Sequence, residues 1–550
     1  MVSRLFTDRS ARGRGTGTGT ALLADAVRRA ARLLRVAVLL VDPDSPARDC
    51  YLRRGWQPVG TAAQQWGHRT VEAVLLVQPD VRVNHEVACG GRGPADCRSG
   101  PLAAPVLPLS DRSWRATALR RSSMSSIIVA APPVTGELQP LLQIAGGLVE
   151  RGHTVTVLTG SRFGSQVAAV GASFVGLTGA ADFDDRRLLA TFPEVATIEP
   201  GDDQINWFFS LFGDAIPEEH QVLQTMLEGD PDAVLITNSM FFGAWPVALG
   251  APGLRPRRWL AVGCNPLALP SSDTTARGPL PPGPDGDAHA TNRAANARRT
   301  AALEPSRQRI EAAVRQLGAT APVPATFEGI VTVPDLFASL TVPGLEFQRS
   351  DAPDSLHLVG VLPAPTVADW TPPSWWPELS AGRPVVVVTQ GTLANDDLGQ
   401  LVRPTLDALA DQDVLVVAAL GRDVDALPGA VPANARIEPF VPFGVLLPHT
   451  DVFVTNGGFG ATQQALAAGV PVVVAGTTED KPAVAARVTA RGVGRDLGTA
   501  TPEPAQIRGA VLDLLTDAAV RANVDRLAAD YGRHDAIGTI ERLVFADRAS

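Results

Sequence analysis

Short apolar strands alternate with amphipathic helices through most of this 550-residue chain, and no other feature constrains its fold as strongly. The pattern begins sharply after Met124, with an apolar strand at Ser126–Ala131, a helix at Leu138–Arg151 and a strand at Thr154–Thr159. Such alternation indicates βαβ units, and hence a parallel, doubly wound α/β sheet. A second unit of the same kind starts at the strand Pro384–Thr389.

Stretches rich in proline, glycine and polar residues separate these units. One of them, a polar insert at Pro270–Arg299, interrupts the first unit, and we expect it to be a mobile surface loop. The predicted parts of the chain are an N-terminal segment at 1–80, a linker at 81–123, a first α/β domain at 124–350, an interdomain hinge at 351–382 and a second domain with terminal helices at 383–550.

Composition argues against several kinds of partner. The net charge of −9 makes nucleic acid an unexpected partner. No run of about 18 apolar residues is present, so we expect no integral membrane segment. Because the N-terminus also lacks the apolar core of a signal peptide, a cytoplasmic location is predicted. The four cysteines form no CxxC pair and fit no standard zinc template, so we expect free thiols and no bound metal.

A glycine-rich turn follows the buried-type strand Asp451–Val454. The turn, Asn456–Gly460, runs into a helix at Ala461–Ala468. Glycines let the backbone approach a ligand closely, and a helix N-terminus offers unpaired N–H groups and positive potential. The turn therefore predicts a site for a diphosphate, although many α/β folds use such a turn for packing alone.

Two further segments are predicted to face the same crevice. The strand Val470–Ala475 leads to Asp480 and Lys481, and a carboxylate beside an ammonium at a strand end can hydrogen-bond sugar hydroxyls. The alternative is an ordinary helix cap, with Asp480 at the N-cap and Pro482 in the first turn. Lys481 is the only lysine in the chain. The small, hydroxyl-bearing turn Thr389–Thr392 ends another strand.

These segments resemble the UDP-glycosyltransferase-like enzymes, which include bacterial transferases that glycosylate antibiotics and other natural products. The resemblance rests on VTNGGFGATQQALAAGVPVVVAGTTEDKPAVAARVTARGVGRDL, on the upstream VTQGT and NARIEPFVPFGVLLPHTDVFVTNGG, and on SSIIVAAPPVTGELQPLLQIAGGLVERGHTVTVLTG near Met124. It extends from residue 124 to about residue 545. It implies a GT-B fold, in which two Rossmann-like parallel-sheet domains face a cleft. It also implies an inverting, metal-independent transfer from a nucleotide sugar, without a further cofactor.

The same resemblance implies roles for individual residues. Gly391 and Thr392 stand where the family contacts the diphosphate, and Val441 stands in the segment that contacts the base. Asp480 and Lys481 stand at the acidic residue–glutamine pair that contacts the sugar. The diphosphate loop is represented by Gly457, Gly458, Gly460, Ala461 and Thr462.

The sequence departs from the family pattern at three places. Asn456 replaces a histidine, and Lys481, which could supply the missing positive charge, replaces a glutamine. In the catalytic motif Gly-His-x-x-Pro, this chain has Glu137 in place of the histidine that acts as general base. The aspartate that usually orients the histidine is replaced within PDAVLITNSMFF by Thr237 or Asn238.

We therefore predict that Glu137 is the general base and that Asn238 belongs to the same catalytic group. The predicted reaction moves a hexose or deoxyhexose from a UDP- or dTDP-sugar to a hydroxyl of a small hydrophobic natural product. The alternative is a protein that binds the nucleotide sugar without transferring it.

The N-terminal segment has a separate resemblance. SPARDCYLRRGWQPVG is similar to the closing segment of GNAT acetyltransferases, and the likeness covers residues 5–77, about half of that fold. It implies a partial α+β segment with strands at Val36–Val41 and Val71–Val77, and Tyr51 as a general acid. The glycine-rich stretch Arg12–Gly17 before a predicted helix suits a pyrophosphate. A third possible function is thus an acetyl-CoA-dependent N-acetyltransferase.

Overall fold

The computed structural model describes residues 37–41, 57–66, 69–78 and 126–546, the last range without residues 199–200, 365–369, 392–394 and 396. The chain divides into two compact units, residues 1–111 and 112–550. Within the described ranges, no helix combines the length and apolar character needed to cross a membrane.

The first unit contains an antiparallel sheet of three described strands, β1 (Ala37–Val41), β2 (Gln57–Trp66) and β3 (Arg69–Gln78). β3 lies in the middle and pairs with both neighbours. Both strands predicted in this segment are confirmed, and β2 is an addition. Arg12–Gly17 and Tyr51 lie outside the described residues. The acetyltransferase resemblance therefore stays a prediction.

The first domain of the second unit is built on a sheet of seven parallel strands. These are β4 (Ser126–Ala130), β5 (Thr154–Thr159), β6 (Ser173–Gly176), β7 (Val234–Asn238), β8 (Arg258–Gly263), β9 (Leu336–Ser339) and β10 (Leu356–Leu358). Their order in the sheet is β10-β9-β8-β7-β4-β5-β6. Helices cover both faces of such a sheet, which explains why β4 and β7 are almost continuously apolar and buried.

Helices of this domain connect the strands. They are α1 (Thr135–Glu150), α2 (Gly164–Ala169), α3 (Leu188–Thr191), α4 (Asp202–Asp214), α5 (Ile216–Gly229), α6 (Trp245–Ala248), α7 (Ala288–Ala302), α8 (Glu304–Gln316) and α9 (Thr326–Thr332). α1 buries Leu138, Leu141 and Leu148 against the sheet, at the spacing of one helical face.

The prediction of a mobile loop at residues 270–299 is wrong for its second half, which belongs to α7. The Asp287 carboxylate accepts the Ala290 N–H and caps this helix. Asn296 on α7 donates to the carbonyl oxygens of Ser271 and Thr274, at 2.8 and 3.0 Å. These contacts hold the first half of the insert against the helix. The alanine-rich, polar composition of α7 hid it, since its surface contributes little apolar periodicity.

The second domain has six parallel strands in the order β13-β12-β11-β14-β15-β16, numbered along the chain. Their bounds are β11 (Val385–Thr389), β12 (Leu415–Ala419), β13 (Ala435–Glu438), β14 (Val452–Thr455), β15 (Val472–Val474) and β16 (Gly494–Asp496). The helices are α10 (Val402–Leu409), α11 (Phe443–Leu446), α12 (Phe459–Ala467), α13 (Lys481–Arg491), α14 (Pro504–Thr516), α15 (Ala518–Tyr531) and α16 (Ala536–Phe545).

The last helix, α16, packs against the first domain. Ile540 and Val544 are buried in the same core as Leu148 of α1. His153, at the turn between α1 and β5, lies with its Nε2 atom 2.9 Å from the Glu541 carboxylate. The C-terminal segment therefore ties the two domains together, and His153 has a structural role in this contact.

A second tie between the domains is a buried ion pair. Arg487 of α13 donates to the two carboxylate oxygens of Glu346 at 2.6 and 3.1 Å. It also donates to the carbonyl oxygens of Leu267 and Ala276, at 3.1 and 3.0 Å. Glu346 is 2% exposed and also pairs with Arg349 at 3.2 Å. The helix that begins at Lys481 is thus attached to the loop that follows β8.

Candidate active site

Glu137 lies in the first turn of α1, directly after β4. The carboxyl ends of parallel strands meet at one edge of a sheet, and ligands of such folds bind there. β7 ends at Asn238, and Asn265 follows the end of β8 by two residues. Strands β4, β7 and β8 are neighbours in the sheet, so the topology brings these three side chains together.

Two amides hold the Glu137 carboxylate. Asn238 Nδ2 donates to one oxygen at 2.7 Å, and Asn265 Nδ2 donates to the other at 2.8 Å. The Asn238 side chain is itself oriented, because its oxygen accepts the Met240 N–H at 2.8 Å. The two amides therefore orient the Glu137 carboxyl group, and lone pairs remain available on both of its oxygens.

The choice between Thr237 and Asn238 is decided by their hydrogen bonds. The Thr237 hydroxyl accepts the indole N–H of Trp259 at 3.0 Å within the core. Asn238 instead faces Glu137. Sequence reasoning missed Asn265. Its available signal was a position just beyond an apolar strand that neighbours β7.

The start of α1 is fixed by a second carboxylate. Asp185 accepts the backbone N–H of Thr135 at 2.7 Å and its hydroxyl at 2.6 Å. The Arg162 guanidinium forms an ion pair with Asp185, whose side chain is almost fully buried. An oriented first turn limits the positions that Glu137 can take. Sequence reasoning missed Asp185 and Arg162 because they come from distant loops.

The glycine-rich turn has the geometry expected of a ligand loop. Gly457 has φ +94°, and a Cβ atom there would lie 2.7 Å from Val474. Gly458 is the N-cap residue of α12 and provides no side-chain cap. A Cβ atom on Gly460 would meet open space. No described side chain therefore caps the first N–H groups of α12, and these groups are available to an anion.

The residues around this turn differ in what they can offer. Ala461 is half-buried and Thr462 is 1% exposed. The Thr462 Oγ1 atom has no hydrogen-bond partner among the described residues. A buried hydroxyl without a partner costs free energy unless a ligand or water satisfies it. This hydroxyl is therefore a candidate ligand contact.

Asn456 and Gly391 lie side by side at the neighbouring strand ends. A Cβ atom on Gly391, which has φ +75°, would be 3.9 Å from the Asn456 amide. Asn456 Nδ2 donates to the Gln390 carbonyl oxygen at 2.5 Å. One of its two N–H groups is thus already used, and one remains for a phosphate oxygen. Thr392, predicted to join them, lies outside the described residues.

Lys481 lies beneath the glycine-rich turn. It is 5% exposed, and its aliphatic chain packs so closely that a Cβ atom on Gly476 would lie 2.6 Å from its Cδ atom. Its ammonium group pairs with the Glu479 carboxylate and lies 3.3 Å from the Thr478 hydroxyl. Glu479 has φ +57°, an uncommon conformation for a residue with a side chain. This pair neutralises the only lysine charge locally.

Asp480 does not use its side chain as a helix cap, although it occupies the N-cap position of α13. Burial raises the pKa of Asp480 to about 6, Lys481 opposes this shift, and the negative charges of Glu479 and Glu137 reinforce it. Glu137 belongs to the first domain and Asp480 to the second. The charge of Glu137 in the first domain thus acts on Asp480 in the second.

The predicted base-contacting residue, Val441, is 2% exposed and packs in the core of the second domain. Only its backbone can reach a ligand. The preceding residue, Phe440, is 56% exposed, which is unusual for a large aromatic side chain. Sequence reasoning missed Phe440, although an aromatic residue between Pro439 and the Val441-Pro442 pair was a usable signal. Phe440 is therefore a second candidate for contact with the base of the nucleotide.

Several known proteins are similar in sequence to this chain. The family described as erythromycin biosynthesis protein CIII-like, C-terminal domain, matches residues 403–535. UDP-glycosyltransferase 2 of Phaeomoniella chlamydospora is 36% identical over 75% of this chain and 94% of its own length. 4'-Demethylrebeccamycin synthase of Lentzea aerocolonigenes is 37% identical over 75% of this chain and 96% of its own length.

Among solved structures, glycosyltransferase VinC in complex with dTDP superposes with a TM-score of 0.55. It is 19% identical, and the match covers 76% of this chain and 98% of that one. Two parallel-sheet domains that share a cleft define the GT-B class, as predicted. Within that class, the chain belongs to the UDP-glycosyltransferase family and is a glycosyltransferase.

Proposed function

We propose that this enzyme transfers a hexose or deoxyhexose from a UDP- or dTDP-sugar to a hydroxyl of a small hydrophobic natural product, with inversion and without a metal ion. The observation that carries the proposal is the Glu137 carboxylate, which two amides hold at the carboxyl ends of the first sheet, together with the uncapped N-terminus of α12 and the Asp480 carboxylate in the second domain. These features provide a base, a diphosphate site and a sugar contact within one cleft.

The donor occupies the second domain in this proposal. Its diphosphate accepts backbone N–H groups from the uncapped first turn of α12 and lies close to Gly391, where no side chain obstructs it. The helix N-terminus supplies positive potential for the leaving diphosphate. Lys481 strengthens this potential only in part, because Glu479 neutralises it. The Asp480 carboxylate accepts hydrogen bonds from hydroxyl groups of the sugar.

The acceptor enters from the first domain. Its hydroxyl oxygen attacks the anomeric carbon from the face opposite the diphosphate, so one bond forms as the other breaks and the configuration inverts. Glu137 accepts the hydroxyl proton through one of its free lone pairs. Asn238 and Asn265 keep the carboxylate oriented during this transfer. Electrostatic stabilisation of the diphosphate and orientation of the reactants supply most of the rate enhancement in this scheme.

One observation favours a second candidate, a protein that binds nucleotide sugars without transferring them. Glu137 replaces the family histidine, and each of its carboxylate oxygens already accepts an amide N–H. This candidate predicts donor binding with neither transfer nor donor hydrolysis.

Two measurements separate these candidates. A thermal-shift panel of UDP- and dTDP-sugars tests donor binding, and mass spectrometry of mixtures with hydroxylated aromatic acceptors tests transfer. The Glu137→Gln variant retains the shape of the side chain, so we expect donor binding without transfer. Glu150→Gln, an exposed position at the far end of the same helix, is the matched control. Full transfer by Glu137→Gln would refute the catalytic role, and no shift with any nucleotide would refute the proposed function.

A further inference from the structure

The loop that follows β8 carries one of the two amides that bind the proposed base. Asn265 in this loop donates to the Glu137 carboxylate at 2.8 Å. A single side chain of the second domain binds the same loop at two further points. The Arg487 guanidinium donates to the carbonyl oxygen of Leu267 at 3.1 Å and to that of Ala276 at 3.0 Å. Because Leu267 follows Asn265 by two residues, Arg487 acts on the part of the loop that carries the amide.

The position of Arg487 on α13 is itself fixed. Its side chain is fully buried, and it binds the two carboxylate oxygens of Glu346 at 2.6 and 3.1 Å. It also donates to the carbonyl oxygen of Ala483, one turn earlier on the helix, at 2.8 Å. A guanidinium has five N–H groups in one rigid plane. Each of the five makes a hydrogen bond here, so the distance between α13 and the loop is strongly constrained.

The same helix carries the proposed sugar contact. Asp480 occupies the N-cap position of α13, and Arg487 follows about two turns later. These two residues are therefore about 10 Å apart along the helix axis. Val484 and Val488 of α13 are buried in the core of the second domain, so the helix moves with the donor site as one body. One rigid element thus joins the sugar contact to the loop that orients the base.

We propose that Arg487 is a positioning residue for catalysis, which holds the Asn265 loop, and through it the Glu137 carboxylate, in register with the donor sugar at Asp480. The base and the sugar contact belong to different domains, so their separation depends on contacts between the domains. A misplacement of about 1 Å can lower a rate by about 100-fold. The inference rests on the proposed function and adds a residue that acts through Asn265 rather than on the reactants.

Arg487 could instead serve only to stabilise the fold, and a second arginine of α13 separates these two roles. Arg491 lies one turn further along the helix and donates to the backbone carbonyl oxygens of Leu345 and Glu346. It therefore attaches α13 to the same segment of the first domain, but at the Glu346 backbone rather than at the Asn265 loop. A change at Arg491 should weaken the contact between the domains without releasing this loop.

The test compares Arg487→Lys with Arg491→Lys in the full chain. Lysine keeps a positive charge beside Glu346, but one ammonium cannot replace five N–H groups in a plane. Single-turnover kinetics with a saturating UDP- or dTDP-sugar and a hydroxylated aromatic acceptor measure the rate of transfer, and isothermal titration measures donor Kd. Hydrogen–deuterium exchange of residues 264–276 measures the attachment of the loop without any reaction. Asn265→Ala and the double variant Asn265→Ala/Arg487→Lys complete a double-mutant cycle.

We expect Arg487→Lys to lower the rate of transfer by about tenfold or more and to leave donor Kd within about threefold. Exchange of residues 264–276 should become faster in this variant. Arg491→Lys should keep the rate within about twofold of the wild type and leave the exchange unchanged. The double variant should lose little beyond the larger single loss, because both changes act on the same contact to Glu137.

Equal rates in Arg487→Lys and Arg491→Lys, or losses that multiply in the double variant, would overturn the positioning role. If Arg487→Lys did not fold, Arg487→Gln/Glu346→Gln would replace it, since this pair removes one charge of each sign and keeps the net charge of the buried cluster. Transfer by the wild type that is lost in Glu137→Gln would support the proposed function whatever the result at Arg487. Absence of transfer by the wild type would overturn both.

Discussion

Asn265 Nδ2 donates to the Glu137 carboxylate over 2.8 Å, although 128 residues separate them in the chain. Together with Asn238, it gives the carboxylate two uncharged donors in place of the single carboxylate partner that a histidine base requires. A carboxylate has no tautomer to select, so amides suffice to orient it. The replacement of the histidine by Glu137 is thus compatible with the loss of the aspartate, because Asn238 binds Glu137 directly.

Removing one of these amides should lower the rate of transfer more than donor affinity. Asn265→Ala deletes a hydrogen bond to a charged group, which corresponds to about 10- to 100-fold in kcat, with donor KM within about threefold. Single-turnover kinetics with a saturating donor measure this directly. Asn206→Ala, which removes an amide elsewhere in the same domain, is the control. An unchanged kcat for Asn265→Ala would show that the orientation of Glu137 is unimportant.

Donor binding should depend on pH through Asp480. Its pKa of about 6 means that the carboxylate gains a proton as the pH falls below that value and becomes a poorer acceptor for sugar hydroxyls. We expect donor Kd to increase as the pH falls from about 7 to about 5, and Asp480→Asn to bind more weakly but with little pH dependence. Isothermal titration with UDP-sugars measures both. Equal pH dependence in the two proteins would assign the effect to another group.

Glu219 should make the folded state less stable at alkaline pH. It is fully buried, and burial raises its pKa from 4.5 to about 8, against the Gly243 and Phe242 N–H groups that lower it. Between these two pH values the folded protein retains a proton that the unfolded chain has lost. The contribution of Glu219 to the free energy of unfolding should therefore be greatest below pH 4.5. This contribution should fall as the pH rises from 4.5 to about 8.

Urea unfolding at several pH values tests this expectation. Glu219→Gln keeps the shape of the side chain and cannot ionise, so its stability should decrease less than that of the wild type over the same interval. The exposed neighbour variant Glu228→Gln should follow the wild type. If Glu219→Gln retained the full pH dependence, the titrating group would have to lie elsewhere.

The Arg487–Glu346 pair should contribute strongly to the free energy of unfolding and should hold the two domains together. Arg487→Met leaves the buried Glu346 with Arg349 alone and removes the donors to Leu267 and Ala276, which should cost about 3–5 kcal/mol of unfolding free energy. Arg487→Lys should rescue little, because an ammonium cannot reach these acceptors in the planar arrangement of a guanidinium. Denaturant unfolding measures both variants.

A matched control for that loss is Arg495→Met. Arg495 pairs with Asp513 and Asp517 at the surface, so its removal should cost about 1 kcal/mol or less. The double variant Arg487→Met/Glu346→Leu should recover part of the stability, since no uncompensated buried charge remains. Losses of equal size in Arg487→Met and Arg495→Met would mean that burial does not govern the contribution of this pair.

Local patterns predicted the elements around the donor site. Asn456–Gly460 could be identified from the sequence because a glycine-rich turn between a strand and a helix is a short-range feature, set by backbone conformation at neighbouring positions. Glu137 was selected by the resemblance of residues 136–140 to the family's Gly-His-x-x-Pro motif, and its role as the base stays a prediction. The α7 helix could not be identified, since its polar composition resembles that of a loop.

Long-range partners required the folded chain. Asn265 and Asp185 carry no local signal, because an asparagine or an aspartate in a loop is ordinary in any protein. Their significance lies in what they face: a carboxylate and a helix N-terminus. The environment of Asp480 also depends on the folded chain, since two of the charges that affect its pKa lie beside it and one lies in the other domain.

The sequence by itself determined the two parallel-sheet domains and the glycine-rich turn. These depend on the spacing of apolar residues and on backbone freedom, which act over a few residues. Only the tertiary structure decided that Asn238 rather than Thr237 faces Glu137, that Lys481 is neutralised by Glu479, and that Arg487 joins the domains. Hydrogen bonds, burial and charge pairing act between side chains in space, so their outcome depends on which strands and helices become neighbours.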